Sequence, residues 1–363
     1  MHMDFNLSDL QRMFLDSADR FIADHYTLEH RRSLRQKPDG LDAEGWATFA
    51  ELGWLALLVP EEQGGLGGSM ADAAVLATAL GGRCVTEPFA STAVLGVTLL
   101  ASAAHPDADL LGELAAGTVR LALAHEEPGM SLLALRATQL SDGTLTGQKT
   151  MAFDAPSATH LIVTAKGPEG LALVLVPRDA AGTTFADYAL YDGSRAADIK
   201  FDGVAVDPSA ILAQGDEAER LLALALDRTR IILAAQSVGS MEAELEICSA
   251  YLKDRHQFGQ PIGKFQSLQH IMADMFVATH QARSILYYAL SRMDAPNEER
   301  SRAVSLARIN IGEGAQLVSR QAIQLHGGYG VTDEYEVSHH YRRQLVLEKQ
   351  YGDIDFAIRQ VSN

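Results

Sequence analysis

The sequence predicts an α+β fold of more than one domain, with helices first, strands next and helices again. Three observations carry this. Apolar residues recur at helical spacing up to about residue 118; the texture turns near Thr118 to short apolar or alternating runs between turn signals; long helical patterns return from Asp216. The boundaries read from these changes are an N-terminal helical domain at 1–118, a middle β domain at 119–212 and a C-terminal helical region at 213–363.

Taken in order, Asp4-Phe-Asn-Leu-Ser-Asp9 supplies capping residues, and Leu10, Met13, Phe14, Ala18, Phe21 and Ile22 then repeat on one helical face. Asp42 to Leu52 predicts another helix, with Gly53 placed to end it. Leu58 to Ser69 is glycine-rich. It has neither the lysine of a phosphate-binding loop nor dinucleotide spacing, so it reads as a tight turn between helices. Residues 70–83 and 89–104 are rich in Ala and Leu and helical. Strands follow at Val119–Ala124, Ala137–Leu140, Leu145–Lys149, His160–Ala165, Leu171–Val176 and Asp198–Phe201, with turns at Gly143 and Gly203. Leu221 to Gly239 is apolar almost all round, which predicts a helix buried on most sides. Further helical runs span 240–255, 266–294, 298–325 and 334–350, and Pro296-Asn297 breaks the middle of them.

With 363 residues, 47% of them apolar and 21% charged, the chain has ordinary globular composition and enough length for a large core. A net charge of −17 argues against general attraction to nucleic acid or an anionic membrane, so an anionic ligand needs local cations such as Arg228/Arg230 or Arg342/Arg343. Cys84 and Cys248 form neither a metal spacing nor a disulfide framework. No signal peptide leads the sequence and no apolar run is long enough to span a bilayer, which gives the expectation of a cytoplasmic protein. His339-His340, in a polar helix, lacks companion ligands at metal spacing, and no nucleophile elbow or Ser/His/Asp arrangement is present.

Two stretches organise the rest. Arg255-His-Gln-Phe-Gly-Gln-Pro-Ile-Gly-Lys-Phe-Gln266 closes one helical run and opens the next, and Gln324-Leu-His-Gly-Gly-Tyr-Gly330 puts paired glycines just past another. Bare backbone N–H groups beside an arginine suit a pyrophosphate. Alone, Arg255 reads as a helix-end arginine favoured by the helix dipole, and Gly327-Gly328 as a C-cap. Together the two stretches resemble the flavin-binding signatures of the acyl-CoA dehydrogenase family. Glu51–Gly68 resembles that family's first domain, and the likeness extends along nearly the whole chain.

The resemblance implies a helical N-terminal domain, a β-barrel-like middle domain and a C-terminal four-helix bundle on which tetramers are built. It implies FAD, an acyl-CoA substrate and an electron-transfer acceptor protein. It also implies that Arg255, Phe258, Gln266, Gln324, Gly327 and Gly328 grip the diphosphate and adenosine end of an FAD belonging chiefly to a neighbouring subunit.

The sequence departs from the family where the flavin ring should sit. Leu123-Ala-His-Glu-Glu-Pro-Gly129 resembles a segment that carries threonine where this chain has Glu126. Gly147–Asp154 resembles one with tryptophan and threonine where this chain has Met151 and Phe153. An unmet hydrogen bond at the polar edge of a flavin costs about 1–3 kcal/mol, and Phe153 cannot make one. The catalytic carboxylate is missing as well. The family's reaction removes an α-proton from an acyl thioester while hydride leaves the β-carbon, and its base occupies one of two positions. Here they hold Tyr351 and Thr229. A tyrosine with an ordinary pKa near about 10 is mostly protonated at neutral pH, and threonine is no base. Asp353, Glu348 and Asp227 are the nearby substitutes in sequence.

The expectation is therefore the supporting chain of an α2β2 acyl-CoA dehydrogenase, whose sister chain supplies base and ring site. The resemblance points to substrates with steroid or bile-acid side chains. A self-sufficient dehydrogenase with a relocated base, a flavin-dependent monooxygenase and a flavin-free paralogue are the alternatives.

Overall fold

The computed structural model describes residues 7–103, 107–129 and 136–362, so Asp4–Asn6 of the expected cap and Ala104 lie outside it. Helices α1 (Asp9–His25), α2 (Leu28–Leu34), α3 (Ala43–Glu51), α4 (Met70–Gly81), α5 (Val97–Ala101) and α6 (Ala108–Ala115) come first. The strands are β1 (Leu121–Ala124), β2 (Gln139–Ser141), β3 (Thr144–Phe153), β4 (His160–Gly167), β5 (Gly170–Pro177), β6 (Thr183–Ala189), β7 (Arg195–Ala205) and β8 (Ile211–Gln214). Helix α7 (Gly215–Asp254), a short hairpin of β9 (His256–Gln257) and β10 (Gln260–Pro261), α8 (Gln266–Leu290), α9 (Asn297–His326), α10 (Glu336–Lys349) and α11 (Ile354–Ser362) complete the chain. No helix among the described residues is long and apolar enough to cross a membrane.

The contacts divide the chain into two compact units. The first contains residues 1–31, 70–85 and 230–363 and is helical. Ser8 caps α1: its hydroxyl accepts from the Gln11 amide while the Gln11 side chain reaches back to the Ser8 amide, each at 3.1 Å. Phe14, Ala18, Phe21 and Ile22 are buried along one stripe, whereas Leu10 and Met13 are exposed. One continuous helix, α7, replaces the expected runs ending at 239 and resuming at 240. Gly239 does not break it; it lets the backbone of α4 come close. A Cβ there would lie 1.9 Å from the Thr78 carbonyl oxygen, and one at Gly81 would lie 2.1 Å from that of Gln236. His339 and His340, expected on a polar helix, are buried, because α10 presents Val337, His340, Gln344 and Leu347 inward. Helix α11 has no counterpart in the sequence reading, and its Phe356 and Ala357 are buried.

The second unit contains residues 32–69 and 86–229. Its mixed sheet runs in the order β6-β7-β3-β2-β4-β5-β8, with β1 parallel on β4, an open path among the described residues. Leu145, Leu161, Val163, Val174, Ile199 and Phe201 fill its core. Strand β6 escaped the sequence reading because it is an edge strand and mostly exposed, which leaves no apolar alternation. Trp46 donates from Nε1 to the Gly117 carbonyl at 2.9 Å, and Phe49 packs on Trp54 with centroids 4.6 Å apart. The fold class is as expected: N-terminal helices, a middle sheet and C-terminal helices.

Candidate functional site

The tail-binding candidates belong to the first unit. Helix α7 stops before Arg255, whose amide donates to the Tyr251 carbonyl and whose carbonyl accepts from Ile262, each at 2.8 Å. The hairpin turns at Phe258 and Gly259, both with positive φ (52° and 81°). Phe258 is 91% exposed and stands edge-on to Phe265, 6.0 Å away. The Arg255 guanidinium is exposed and has no partner among the described residues. Gln266 opens α8 and is exposed too.

On the other segment, α9 ends at His326, and Gly327 (φ 59°) is its C-cap, its amide donating to the Gln324 carbonyl. A Cβ at Gly259, Gly327 or Gly328 would meet nothing within 4 Å. An aromatic cluster ties these helix ends together. Tyr251 lies 4.2 Å from His326, His326 lies 4.9 Å from Tyr335, and Tyr335 lies 4.5 Å from Tyr329. The two motif segments thus leave neighbouring helix ends with open glycine backbone, an unengaged guanidinium, two exposed glutamines and an exposed ring. That set fits the diphosphate and adenosine of a dinucleotide.

The ring-site candidates belong to the second unit. The Glu126 carbonyl accepts from the Thr150 amide at 2.9 Å. Met151 (φ 50°) lies where the β3–β7 register shifts between Lys149 and Ala152. Asp198 accepts from the Met151 amide at 3.0 Å, the Thr150 hydroxyl at 2.7 Å and the Tyr188 hydroxyl at 3.0 Å. Phe153 is 2% exposed, so a ring without hydrogen-bonding capacity fills a core position there. Asp154 accepts from the Ser91 hydroxyl at 2.6 Å. Phe153, a buried ring in place of a hydroxyl, offers neither donor nor acceptor to the polar edge of a flavin. Behind these residues is a buried ion pair, Lys149 Nζ to Glu127 Oε1 at 2.6 Å, with Glu127 also accepting from the Ala137 and Thr138 amides. Burial pulls Lys149 down to about 8 against the pull of Glu127.

Neither base position carries an acid, and the nearby acids are engaged. Thr229 is fully buried and donates its hydroxyl to the Ala225 carbonyl at 2.7 Å. Tyr351 is buried with φ 56°, and its carbonyl accepts from Arg230 Nε at 2.7 Å. The Arg230 guanidinium also lies 4.9 Å over the Phe356 ring, so Arg230 ties down the turn that carries Tyr351. Glu348 accepts from the Ile354 amide at 3.0 Å and pairs with Lys349 at 3.2 Å. Asp353 accepts from Lys349 at 3.0 Å and from the Phe356 amide at 2.8 Å. Burial would raise the Asp353 pKa, but these partners outweigh it and hold the carboxyl below its ordinary range. Asp227 is buried in the second unit.

Sequence reasoning missed Arg308. It donates from Nη2 to the carbonyls of Leu347, Glu348, Gln350 and Gly352 at 2.8–3.4 Å, and burial lowers it to about 10. Its signal was an arginine within the apolar stripe Val304, Ala307, Ile311 of α9.

Two family profiles match the chain. The one described as "Acyl-CoA dehydrogenase, N-terminal domain" matches residues 8–108, and "Acyl-CoA dehydrogenase, C-terminal domain" matches residues 220–362. The acyl-CoA dehydrogenase IpdE2 of Mycobacterium tuberculosis is 30% identical over 92% of this chain and 90% of its own length. The probable acyl-CoA dehydrogenase YngJ of Bacillus subtilis is 30% identical over 95% of both. Among solved structures, a variant of the Tcur3481-Tcur3483 steroid ACAD is 27% identical, with a TM-score of 0.88 over 97% of this chain and 96% of that one.

Proposed function

The chain belongs to the acyl-CoA dehydrogenase family, whose members are FAD-dependent oxidoreductases, and from that premise we propose that it is the supporting chain of a heteromer. In this reading Arg255, Phe258, Gln266, Gln324, Gly327 and Gly328 hold the tail of an FAD whose ring sits in a sister chain. The segment 213–363 is then the tail-binding and oligomerising domain. When bound, FAD supplies the hydride acceptor for α,β-dehydrogenation of an acyl-CoA thioester. Arg255 pairs with diphosphate oxygens through its planar fork, and the glycines let backbone amides approach them. The α-proton goes to a carboxylate of the sister chain.

One observation carries the proposal: both base positions hold non-acids, Thr229 and Tyr351, while Glu348 and Asp353 already serve as acceptors for backbone amides and Lys349. The tail residues, by contrast, are exposed and, at Arg255, unengaged. The substrate class follows the relatives. A solved structure described as a steroid ACAD supports a CoA thioester of a steroid or bile-acid side chain. An electron-transfer acceptor protein reoxidises the assembly.

The test is the flavin stoichiometry of the complex co-purified with its sister chain. One FAD per two chains is expected, with little bound FAD and no dehydrogenase activity from this chain alone. A yellow, fully active homo-oligomer of this chain would overturn the proposal. Loss of that activity in Asp353→Asn, Glu348→Gln or Asp227→Asn would then identify a relocated base.

A further inference from the structure

The first unit contains a cavity of about 1240 Å³ that includes none of the tail-binding residues and neither base position. It lies between α1, α4, residues 238–250 of α7, the end of α8 and the start of α10. Small-molecule sites occupy roughly 300–1,000 Å³, so there is room for a lipid-sized molecule. Leu15, Ile22, Val75, Leu286 and Leu290 are among the apolar side chains of its wall.

The charged lining residues leave no buried charge for a ligand to answer. Glu242 is paired with Arg283, and Glu336 with Arg83. Arg31 is buried, and its guanidinium already donates through Nη1 to the Cys84 carbonyl and through Nε to His339 Nδ1. Asp19 and Glu246 are exposed, where water and salt screen them. A charged head group, of either sign, would give up its hydration here without gaining a buried, uncommitted counter-charge.

One polar group of the lining is open. His340 is 2% exposed and lines the cavity. Its Nδ1 faces the Ser240 hydroxyl at 2.7 Å and the Cys84 thiol at 3.2 Å. The Ser240 hydroxyl has no other partner among the described residues, so it donates to Nδ1 and the ring proton is on Nε2. Burial, then Arg31 and Arg83, push His340 down to about 3, so the ring is neutral and keeps this single proton. The Nε2–H has no acceptor among the described residues. A buried N–H left unmet is costly, and a ligand oxygen in the cavity would meet it.

We propose that this cavity binds an uncharged amphipathic lipid with a carbonyl or hydroxyl oxygen at one end, its chain along Leu15, Ile22, Val75, Leu286 and Leu290 and its oxygen accepting from His340 Nε2–H. The site shares no residue with the proposed tail site, so it stands whether or not the heteromeric reading holds.

Calorimetric titration of the full chain in its purified assembly, with 2-decanone, decanoate and decylamine, tests the proposal. The three probes share a chain length and differ in charge. Saturable binding of 2-decanone is expected, at least about tenfold tighter than that of the acid or the amine. Val75→Trp fills the cavity and should abolish that binding. His340→Phe keeps a ring but removes the donor, and should weaken 2-decanone by roughly three- to tenfold. Circular dichroism checks the folding of both variants; if His340→Phe does not fold, Val75→Trp and the three-probe ranking decide. Absence of saturable 2-decanone binding, equal or tighter binding of either charged probe, or binding that survives Val75→Trp would each overturn the proposal. Unchanged affinity in a folded His340→Phe would overturn it too, since the oxygen would then have no donor at His340.

Discussion

At the scale of single residues, stability at the two ends of the pH range is set by groups in the helical unit. Glu244 is fully buried on α7, and neither carboxyl oxygen has a partner among the described residues. Burial pushes its pKa well above the usual carboxylate range, so the folded chain keeps a proton that the unfolded chain releases. Its contribution to stability is whole below the unfolded pKa of about 4.5 and is lost as pH rises through the folded value. Glu244→Gln keeps the shape without the titration. Urea midpoints for the wild type should fall relative to this variant as pH rises above about 4.5, and parallel midpoints would refute a protonated Glu244. His340 works with the opposite sign. Its pKa is lowered from 6.5 to about 3, so its contribution is whole above 6.5 and is lost as pH falls toward 3. Relative to His340→Gln, the wild type should therefore lose stability as pH falls below about 6.5, and urea unfolding of the two proteins at stepped pH reads this directly.

At the scale of elements, two close arrangements carry disproportionate weight. The first is the crossing of α4 and α7. Gly239→Ala would drive a methyl against the Thr78 carbonyl, and a loss of about 3 kcal/mol is expected in denaturant unfolding. A neutral result would mean that the helices separate at no cost. The second is the turn at 347–352, where Arg308 serves four carbonyls and Arg230 a fifth. Arg308→Met leaves those acceptors buried without their donor, at a cost of about 3 kcal/mol or more. The same turn holds Tyr351 at a positive φ. In the proposed reading this position is where a catalytic chain would carry the base, and here Arg230 and Arg308 fix the turn around the Tyr351 phenol. Sequence periodicity found α1, α8 and α9 because each buries a stripe. It missed β6, an exposed edge, and split α7, because a glycine that admits a neighbouring backbone looks the same in sequence as one that ends a helix.

At the scale of the whole molecule, the proposed division of labour depends on which groups are open and which are committed. In the co-purified complex, Arg255→Ala should lower FAD retention at least about tenfold on gel filtration while the chains stay associated, since it removes one charge-assisted phosphate contact. Dissociation of the chains instead would assign Arg255 to assembly alone. The sequence by itself determined the order of helices, sheet and helices, the family, and the non-acidic residues at positions 229 and 351. Periodicity, motif chemistry and residue identity are local properties, legible in one dimension. Only the tertiary structure decided that Glu348 and Asp353 are spent on backbone amides and a lysine, that Arg230 and Arg308 bind carbonyls of one turn, and that His339 and His340 line a cavity instead of facing solvent. A side chain's partner depends on segments brought together from up to about three hundred residues away, and burial, charge field and pKa exist only once they meet.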